Sequence, residues 1–327
     1  MMFFLILMFG TFLAVLSPTW IMAWIGLEIN MMALLPILLN FSTPRETEAS
    51  LKYFLIQTMA SVLFIASSFI SSMVGAMMSN SLIFMIITIS MLMKLGSAPF
   101  HLWVPQVMEG LKWSNCLLVL IWQKIAPLFI ILNVLTINNK FNLLMINLAI
   151  LLSSVLSAIS GLSQFSVRKI MAFSSINHLS WILMSMMLKL SFLLVYFICY
   201  SCILVSTIFM FIKNNINSVS SISLNSSKEK MMIFISLLSL GGLPPFMGFF
   251  PKLIILMNSS INPLLLTVVI LSGIITLFFY LRISFNSAYQ SSIFMWKESM
   301  INNPISFLMV MITNTSSLIF LAVFILV

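Results

Sequence analysis

Four charged side chains stand in apolar stretches that give them no evident route to water. Lys94 follows the run IFMIITISMLM, Lys124 lies in LIWQKIAPL, Glu28 lies in WIGLEINMM, and Lys252 ends the run GLPPFMGFFPK. A charge at the centre of a bilayer costs about 2.5–3.5 kcal/mol on insertion scales, so such residues mark polar pathways unless they reach the headgroups. Amines and a carboxylate at this depth favour proton transfer as their chemistry.

The depth of each charged residue in its membrane span distinguishes a member of a polar pathway from a side chain that anchors its helix at the headgroups. Glu28 is short and central in its span, and Lys94 and Lys124 are central in theirs. Lys252 lies nearer the end of its span, so an anchor whose amine extends to the headgroups remains an alternative for this residue.

The composition requires a membrane for the whole chain. Of 327 residues, 61% are apolar and 6% are charged, with a mean hydropathy of +1.19, whereas soluble domains carry about 25% charged residues. The net charge of +9 is not gathered into a basic stripe with interleaved aromatics, which argues against nucleic acid as a partner. The three cysteines do not form a set of metal ligands.

Hydropathy and polar breaks predict an all-α polytopic membrane protein of about eleven transmembrane helices. The predicted spans are 2–17, 20–39, 51–77, 82–107, 114–135, 142–162, 169–187, 191–212, 231–257, 263–283 and 304–326. If the spans alternate, ten cationic side chains lie on the N-terminal side and two on the other. This bias predicts an N-terminus on the cytoplasmic or matrix side and a C-terminus on the opposite side.

An internal repeat explains how the lysines are tolerated. GSAPFHLWVP at 96–105 and GLPPFMGFFP at 242–251 share the pattern G-x-x-P-F-x-x-x-x-P at an offset of 146 residues. Because proline removes a backbone donor and clashes with the preceding turn, spans 4 and 9 are predicted to be broken helices. Freed carbonyls at such breaks can hold water, and a lysine there is hydrated without meeting lipid.

The two broken spans are five apart, so equivalent helices run in opposite directions. The sequence therefore predicts an inverted repeat of five-helix units. The predicted domains are 1–135 with broken helix 82–107, 142–283 with broken helix 231–257, and a C-terminal helix at 304–326.

Two histidines each allow two interpretations. His101 follows the first break, where it would either join a water chain or bond a freed carbonyl. His178 in FSSINHLSWI would either relay protons between lysines or form an interhelical hydrogen bond.

Six segments carry a resemblance to a known family. They are LEIN around Glu28, TEASLKYFL at 47–55, KLGSAPFHLWVPQVMEG at 94–110, WQKIAP at 122–127, RKIMAFSSINHLSW at 168–181 and LGGLPPFMGFFPK at 240–252. Together they resemble the chain 2 family of mitochondrial NADH:ubiquinone oxidoreductase, respiratory complex I, in its short insect form. The resemblance implies a proton-pumping, antiporter-like subunit of the inner-membrane arm, with its N-terminus in the matrix and its C-terminus in the intermembrane space.

The resemblance also implies roles and partners. Glu28 would be the carboxylate that partners Lys94, Lys124 the central relay, and Lys252 the second-half lysine near the outlet. The chain itself would bind no cofactor, and NADH, FMN, iron–sulfur clusters and ubiquinone would act elsewhere in the complex. Expected partners are a neighbouring antiporter-like subunit, the small 4L-type subunit and membrane lipids such as cardiolipin.

Other functions share some of these features. A free-standing cation/proton antiporter would have the same repeat and buried lysines, although a chain without aspartate is a less favourable sodium binder. A haem-bearing quinone cytochrome is disfavoured because two histidines on separate spans cannot ligate two haems. A passive assembly scaffold would not need four deep ionisable groups.

Overall fold

The computed structural model describes residues 2–39, 43–74, 80–136, 140–222, 227–244, 246–258 and 262–291, and its regular elements are helices. Seven helical spans within these residues are long and apolar enough to cross a membrane, and two shorter apolar helices accompany them. The chain is therefore an all-helical, multi-pass membrane protein. The predicted C-terminal span at 304–326 lies outside the described residues.

Two compact units divide the chain after Ser153. The helices of the first unit are α1 (Met2–Leu16), α2 (Trp20–Leu38), α3 (Pro44–Val74), α4 (Asn80–Leu95), α5 (Trp103–Gly110), α6 (Trp113–Leu117), α7 (Gln123–Leu135) and the first part of α8 (Lys140–Leu162). A π-helical turn, Leu118–Trp122, joins α6 to α7.

The second unit begins within α8. Its further helices are α9 (Val167–Leu188), α10 (Leu190–Lys213), α11 (Val219–Ile222), α12 (Ser227–Gly241), α13 (Phe249–Leu256) and α14 (Pro263–Ser291).

Helix α3 begins at Pro44, seven residues before the predicted span 51–77. The hydropathy prediction stopped at the charged residues, but these residues suit a helix start. Proline is favoured at the first helical position, and Glu46 in the first turn complements the helix dipole. One turn further on, Glu48 and Lys52 form an exposed ion pair of 2.5 Å, at the spacing that supports a helix.

Both spans that carry the repeated motif are broken, as the prolines predict. Helix α4 ends at Leu95 and α5 begins at Trp103, whereas α12 ends at Gly241 and α13 begins at Phe249. Seven residues, 96–102 and 242–248, therefore interrupt each span at the same offset of 146.

The two interrupted helices end in the same way. Gly96 and Gly242 follow the last helical residues with φ of 69° and 77°, a region that residues with a Cβ rarely adopt. Each glycine N–H then bonds the carbonyl three residues back, and the next N–H bonds the carbonyl five residues back, which is a Schellman end. The bonds are Gly96 to Met93 (3.1 Å), Ser97 to Leu92 (3.1 Å), Gly242 to Ser239 (3.2 Å) and Leu243 to Leu238 (3.4 Å).

Helix α9 is the central element of the second unit. Its most apolar 18-residue stretch has a mean hydropathy of 1.2, the lowest among the seven described spans, yet 94% of that stretch is buried. The corresponding stretch of α14 has a mean hydropathy of 2.6 and is 33% buried. Helix α9 packs against α10, α13 and α14, so its polar side chains face protein.

Candidate functional site

The three lysines from the apolar spans are buried, with exposed fractions of 6% for Lys94, 4% for Lys124 and 8% for Lys252. Each lies beside an interruption of its helix. Lys94 is the penultimate residue of α4, Lys124 is the second residue of α7 after the π-helical turn, and Lys252 is in the first turn of α13.

At the second break, the amine of Lys252 binds the end of the preceding half-helix. Its Nζ donates to the main-chain oxygen of Gly241 at 2.8 Å and lies 5.7 Å from the centroid of the Trp181 ring. The C-terminal carbonyls of a helix carry partial negative charge, and an aromatic face attracts a cation, so both contacts favour a charged amine. Gly242 leaves room for this arrangement, because a Cβ there would lie 2.9 Å from Nζ.

At the first break, neutral side chains bind carbonyls in the last turn of the preceding half-helix. Gln57 Nε2 donates to the main-chain oxygen of Lys94 at 3.3 Å, and Trp103 Nε1 donates to the main-chain oxygen of Met93 at 3.2 Å. These two carbonyls are thus bonded without the Lys94 amine.

Lys94 lines a small polar cavity in the first unit. The lining residues are Leu27, Asn30, Met31, Tyr53, Gln57, Lys94, Gln123 and Pro127. The volume open to the centre of a water molecule is about 10 Å³, which is the lower limit for holding one water.

A chain of hydrogen bonds forms part of the cavity wall. The Tyr53 hydroxyl donates to Gln123 Oε1 at 3.3 Å, and Gln123 Nε2 donates to Asn30 Oδ1 at 3.0 Å. These bonds connect α3, α7 and α2 at the level of Lys94.

Glu28 acts on Lys94 at a distance. The carboxylate has a coulombic interaction with the amine, although these two described residues form no ion pair within 4.0 Å. Glu28 is half-buried and follows directly after Leu27 of the cavity lining. The carboxylate therefore lies near enough to the amine to interact electrostatically but does not contact it directly.

The helix that carries Lys124 is irregular on both sides of the lysine. The π-helical turn ends with a bond from the Gln123 N–H to the Leu118 oxygen, and such turns are frequent at functional sites. Four residues after Gln123, Pro127 lacks the N–H that would bind the Gln123 carbonyl in a regular helix. The sequence shows this proline, but the π-helical turn was not predicted.

The two histidines have different surroundings. His101 Nδ1 lies 3.3 Å from the main-chain oxygen of Pro99, inside the first break. His178 Nδ1 lies 3.0 Å from the Tyr196 hydroxyl, and its ring centroid is 5.0 Å from that of Tyr200. His178 also lies one helical turn from Trp181, the residue beneath the Lys252 amine.

Each of the two units brings together some of the ionisable residues that the sequence predicts for proton transfer. The first unit contains the coupled pair Glu28 and Lys94 and also holds Lys124, on a helix that packs against α4. The second unit places His178 on α9, one turn before Trp181, and the amine of Lys252 on α13 lies 5.7 Å from the centroid of the Trp181 ring. Sequence reasoning missed the polar wall of the cavity, whose members are Asn30, Tyr53, Gln57 and Gln123. Their signal was the presence of uncharged polar side chains inside apolar spans.

Comparison with known sequences identifies one family. Residues 17–279 match the family described as NADH:quinone oxidoreductase/Mrp antiporter, TM. NADH-ubiquinone oxidoreductase chain 2 of Anopheles gambiae is 41% identical over 318 residues, which cover 93% of this chain and 91% of that protein. The chain of the same name from Ovis aries is 37% identical over 292 residues, which cover 86% of this chain and 83% of that protein.

Solved structures share the fold at lower identity. A chain of respiratory complex I from Thermus thermophilus with bound aureothin matches with a TM-score of 0.75 and 18% identity, covering 95% of this chain and 75% of that one. A chain of the Mrp complex from Dietzia sp. DQ12-45-1b matches with a TM-score of 0.71 and 15% identity, covering 86% of this chain and 59% of that one.

Proposed function

The chain belongs to the NADH:quinone oxidoreductase/Mrp antiporter membrane family, among the chain 2 subunits of NADH-ubiquinone oxidoreductase, and from this premise we propose how its buried charges translocate protons. Protons move along a hydrated row of Glu28, Lys94, Lys124 and Lys252. Electron transfer from NADH to ubiquinone, with FMN and the iron–sulfur clusters, takes place in other subunits and drives this movement.

The observation that carries the proposal is the burial of three lysines beside helix interruptions. Removing a charge from water is unfavourable, and a nearby carboxylate offsets part of that cost. When Glu28 approaches Lys94 the ammonium is stabilised, and when the two separate the lysine releases its proton. A change in that separation therefore moves a proton toward the next site.

The second break supplies the other end of the row. A protonated Lys252 is held by the Gly241 carbonyl and the Trp181 ring. The neutral amine binds both more weakly, because the charge contributes to each contact. Loss of the proton thus frees the side chain. His101 and His178 are candidates for additional relay groups, and their bonds to Pro99 and Tyr196 also suit a purely structural role.

Membership in this family also supports an inference about the topology, location and partners of the chain. We infer eleven spans, with an inverted repeat of 1–135 and 142–283 followed by a helix at 304–326. The equivalent Schellman ends, 146 residues apart, support the repeat. The location is the mitochondrial inner membrane, with the N-terminus in the matrix and the C-terminus in the intermembrane space, which the distribution of loop cations supports. Partners are a neighbouring antiporter-like subunit, the small 4L-type subunit and lipids such as cardiolipin.

A free-standing antiporter is the less favoured function. The Mrp complex shares the fold at 15% identity, whereas the curated relatives at 37–41% identity over most of the chain are subunits of NADH-ubiquinone oxidoreductase.

The test is Lys124→Ala in the assembled complex, reconstituted in vesicles with a pH-sensitive dye. Pumping per NADH oxidised should fall sharply, because the central station of the row is missing. Lys140→Ala is the matched control, since Lys140 is exposed at the start of α8, and it should pump normally. Normal pumping by Lys124→Ala would contradict the proposed row.

A further inference from the structure

The hydrogen-bonded wall of the Lys94 cavity has no part in the row of charges described above. Its Asn30 and Tyr53 side chains are 2% and 1% exposed, although both are polar and lie inside apolar spans. Burying uncompensated polar groups costs about 1–3 kcal/mol each. Gln123 compensates both, because its oxygen accepts from Tyr53 and its nitrogen donates to Asn30.

We propose that Gln123 is a positioning residue for proton transfer at Lys94, because its carboxamide keeps a one-water site beside the lysine polar and open. This inference rests on the proposed function of Lys94. An amide does not pass protons readily itself, so its role is to hold the groups that bind the water.

The geometry supports a water at this place. A buried water needs two to four polar partners, and the cavity lining offers Asn30, Tyr53, Gln57, Gln123 and Lys94. Glu28 interacts with Lys94 electrostatically but not through a direct ion pair. Water can bridge polar groups across such a gap where space and partners are present. The cavity offers both at Lys94, and Leu27 of its lining directly precedes Glu28 in the sequence.

The position of Gln123 in α7 also places its side chain at the cavity beside Lys94. The π-helical turn before it and Pro127 after it set the local path of the helix, and both Gln123 and Pro127 line the cavity. Gln123 is also adjacent in sequence to Lys124. One short segment therefore carries part of the cavity wall and also Lys124, the next residue of the proposed row.

The simpler alternative is that Gln123 only joins helices. Interhelical hydrogen bonds in membranes contribute about 0.6 kcal/mol on average, and their loss would lower assembly without changing how protons move. The two roles differ in a kinetic signature. If the site relays protons, loss of a well-positioned water makes proton transfer limiting, and pumping becomes more sensitive to replacement of H₂O by D₂O.

The experiment compares variants of the assembled complex in vesicles, with pumping normalised to the amount of intact complex. Gln123→Leu removes both bonds, so the Tyr53 hydroxyl and the Asn30 amide lose the group that orients them toward the water site. We expect pumping to fall about tenfold, within the ~10²-fold range that loss of positioning produces, with an enlarged D₂O effect. Asn133→Leu, an exposed amide on the same helix, is the matched control and should match the unmodified complex.

Tyr53→Phe keeps the experiment decisive if Gln123→Leu does not assemble. It removes one oxygen and leaves the ring against Trp103, whose centroid is 5.8 Å away. Pumping should fall less than in Gln123→Leu, again with an enlarged D₂O effect. Unchanged pumping in Tyr53→Phe and in any assembled Gln123→Leu, or lower pumping with an unchanged D₂O effect, would overturn the inference.

Lys124→Ala in the same preparation separates this inference from the proposed function. If Lys124→Ala stops pumping while the Gln123 and Tyr53 variants pump normally, only the inference fails. If Lys124→Ala also pumps normally, the row of charges itself is wrong.

Discussion

Gly242→Ala should disconnect Lys252 from the half-helix that holds it. The φ of 77° at Gly242 is costly for a residue with a Cβ, by about 1–2 kcal/mol. The new methyl group would also lie 2.9 Å from Lys252 Nζ and 3.0 Å from its Cδ. Because the end of a lysine side chain is flexible, we expect the amine to move rather than the backbone.

The displaced amine loses its 2.8 Å bond to the Gly241 carbonyl. A hydrogen bond to a charged group is worth about 1.5–3 kcal/mol, which corresponds to roughly a 10- to 150-fold shift in the population of the bonded state. This range overlaps that of the backbone strain, so we expect both the stability of the complex and its proton pumping to fall.

The assay is NADH-driven pumping by complexes that carry Gly242→Ala or Gly242→Asn. Asparagine tolerates this backbone region better than alanine but introduces the same Cβ. Displacement of the lysine therefore predicts similar losses in both variants, whereas strain alone predicts a milder effect of asparagine. Gly273→Ala is the control, because its Cβ would lie 4.0 Å from the nearest atom, on Trp181.

A double-mutant cycle checks the mechanism. In a Lys252→Ala background, Gly242→Ala should lower the thermal stability of the complex by its strain alone. Wild-type pumping by Gly242→Asn, or an undiminished stability loss in the Lys252→Ala background, would refute the reasoning.

Three further predictions concern charge coupling and packing. Glu28→Gln removes the carboxylate charge with little change in shape. Proton pumping in vesicles should therefore fall, while assembly of the complex on native gels stays normal. Unchanged pumping would exclude Glu28 from the row. Gly248→Ala would force a Cβ against the main-chain oxygen of Ser239 in α12, so the amount of assembled complex should drop, whereas Gly273→Ala should assemble normally. Equal amounts of the two complexes would show that the close approach at Gly248 is not required. Arg282 donates to the carbonyls of Leu162 and Gln164, at and just beyond the end of α8, at 2.5 and 3.1 Å. Arg282→Met should lose at most about 1.5–3 kcal/mol of stability per bond, so the complex should inactivate at a lower temperature than with the exposed control Lys140→Met. Equal inactivation temperatures would show that these two bonds do not stabilise the complex.

The positions of the charges and breaks were predictable because they are local properties of the sequence. Lys94 and Lys252 are adjacent to glycine and proline residues whose backbone preferences act within a few residues. The same locality explains the error at α3. Hydropathy excluded Glu46 and its neighbours from the span, but a helix continues wherever its backbone bonds can form.

The wall of the Lys94 cavity could not be predicted in the same way. Gln123 binds Asn30, 93 residues away, and Tyr53, 70 residues away. A single amide in an apolar span is compatible with many partners or with none, and only the packing of α2, α3 and α7 selects these two. The roles of His101 and His178 also depend on groups that the sequence does not place.

The combination of low hydropathy and deep burial in α9 has a consequence for biogenesis. A segment of this kind gains little from entering lipid on its own, so an insertion machinery that samples segments one at a time would retain it poorly. Only one residue separates α9 from α10, whose most apolar stretch has a mean hydropathy of 2.3. We therefore expect the two helices to enter the bilayer as a hairpin, with α9 retained there only once α10 has been made.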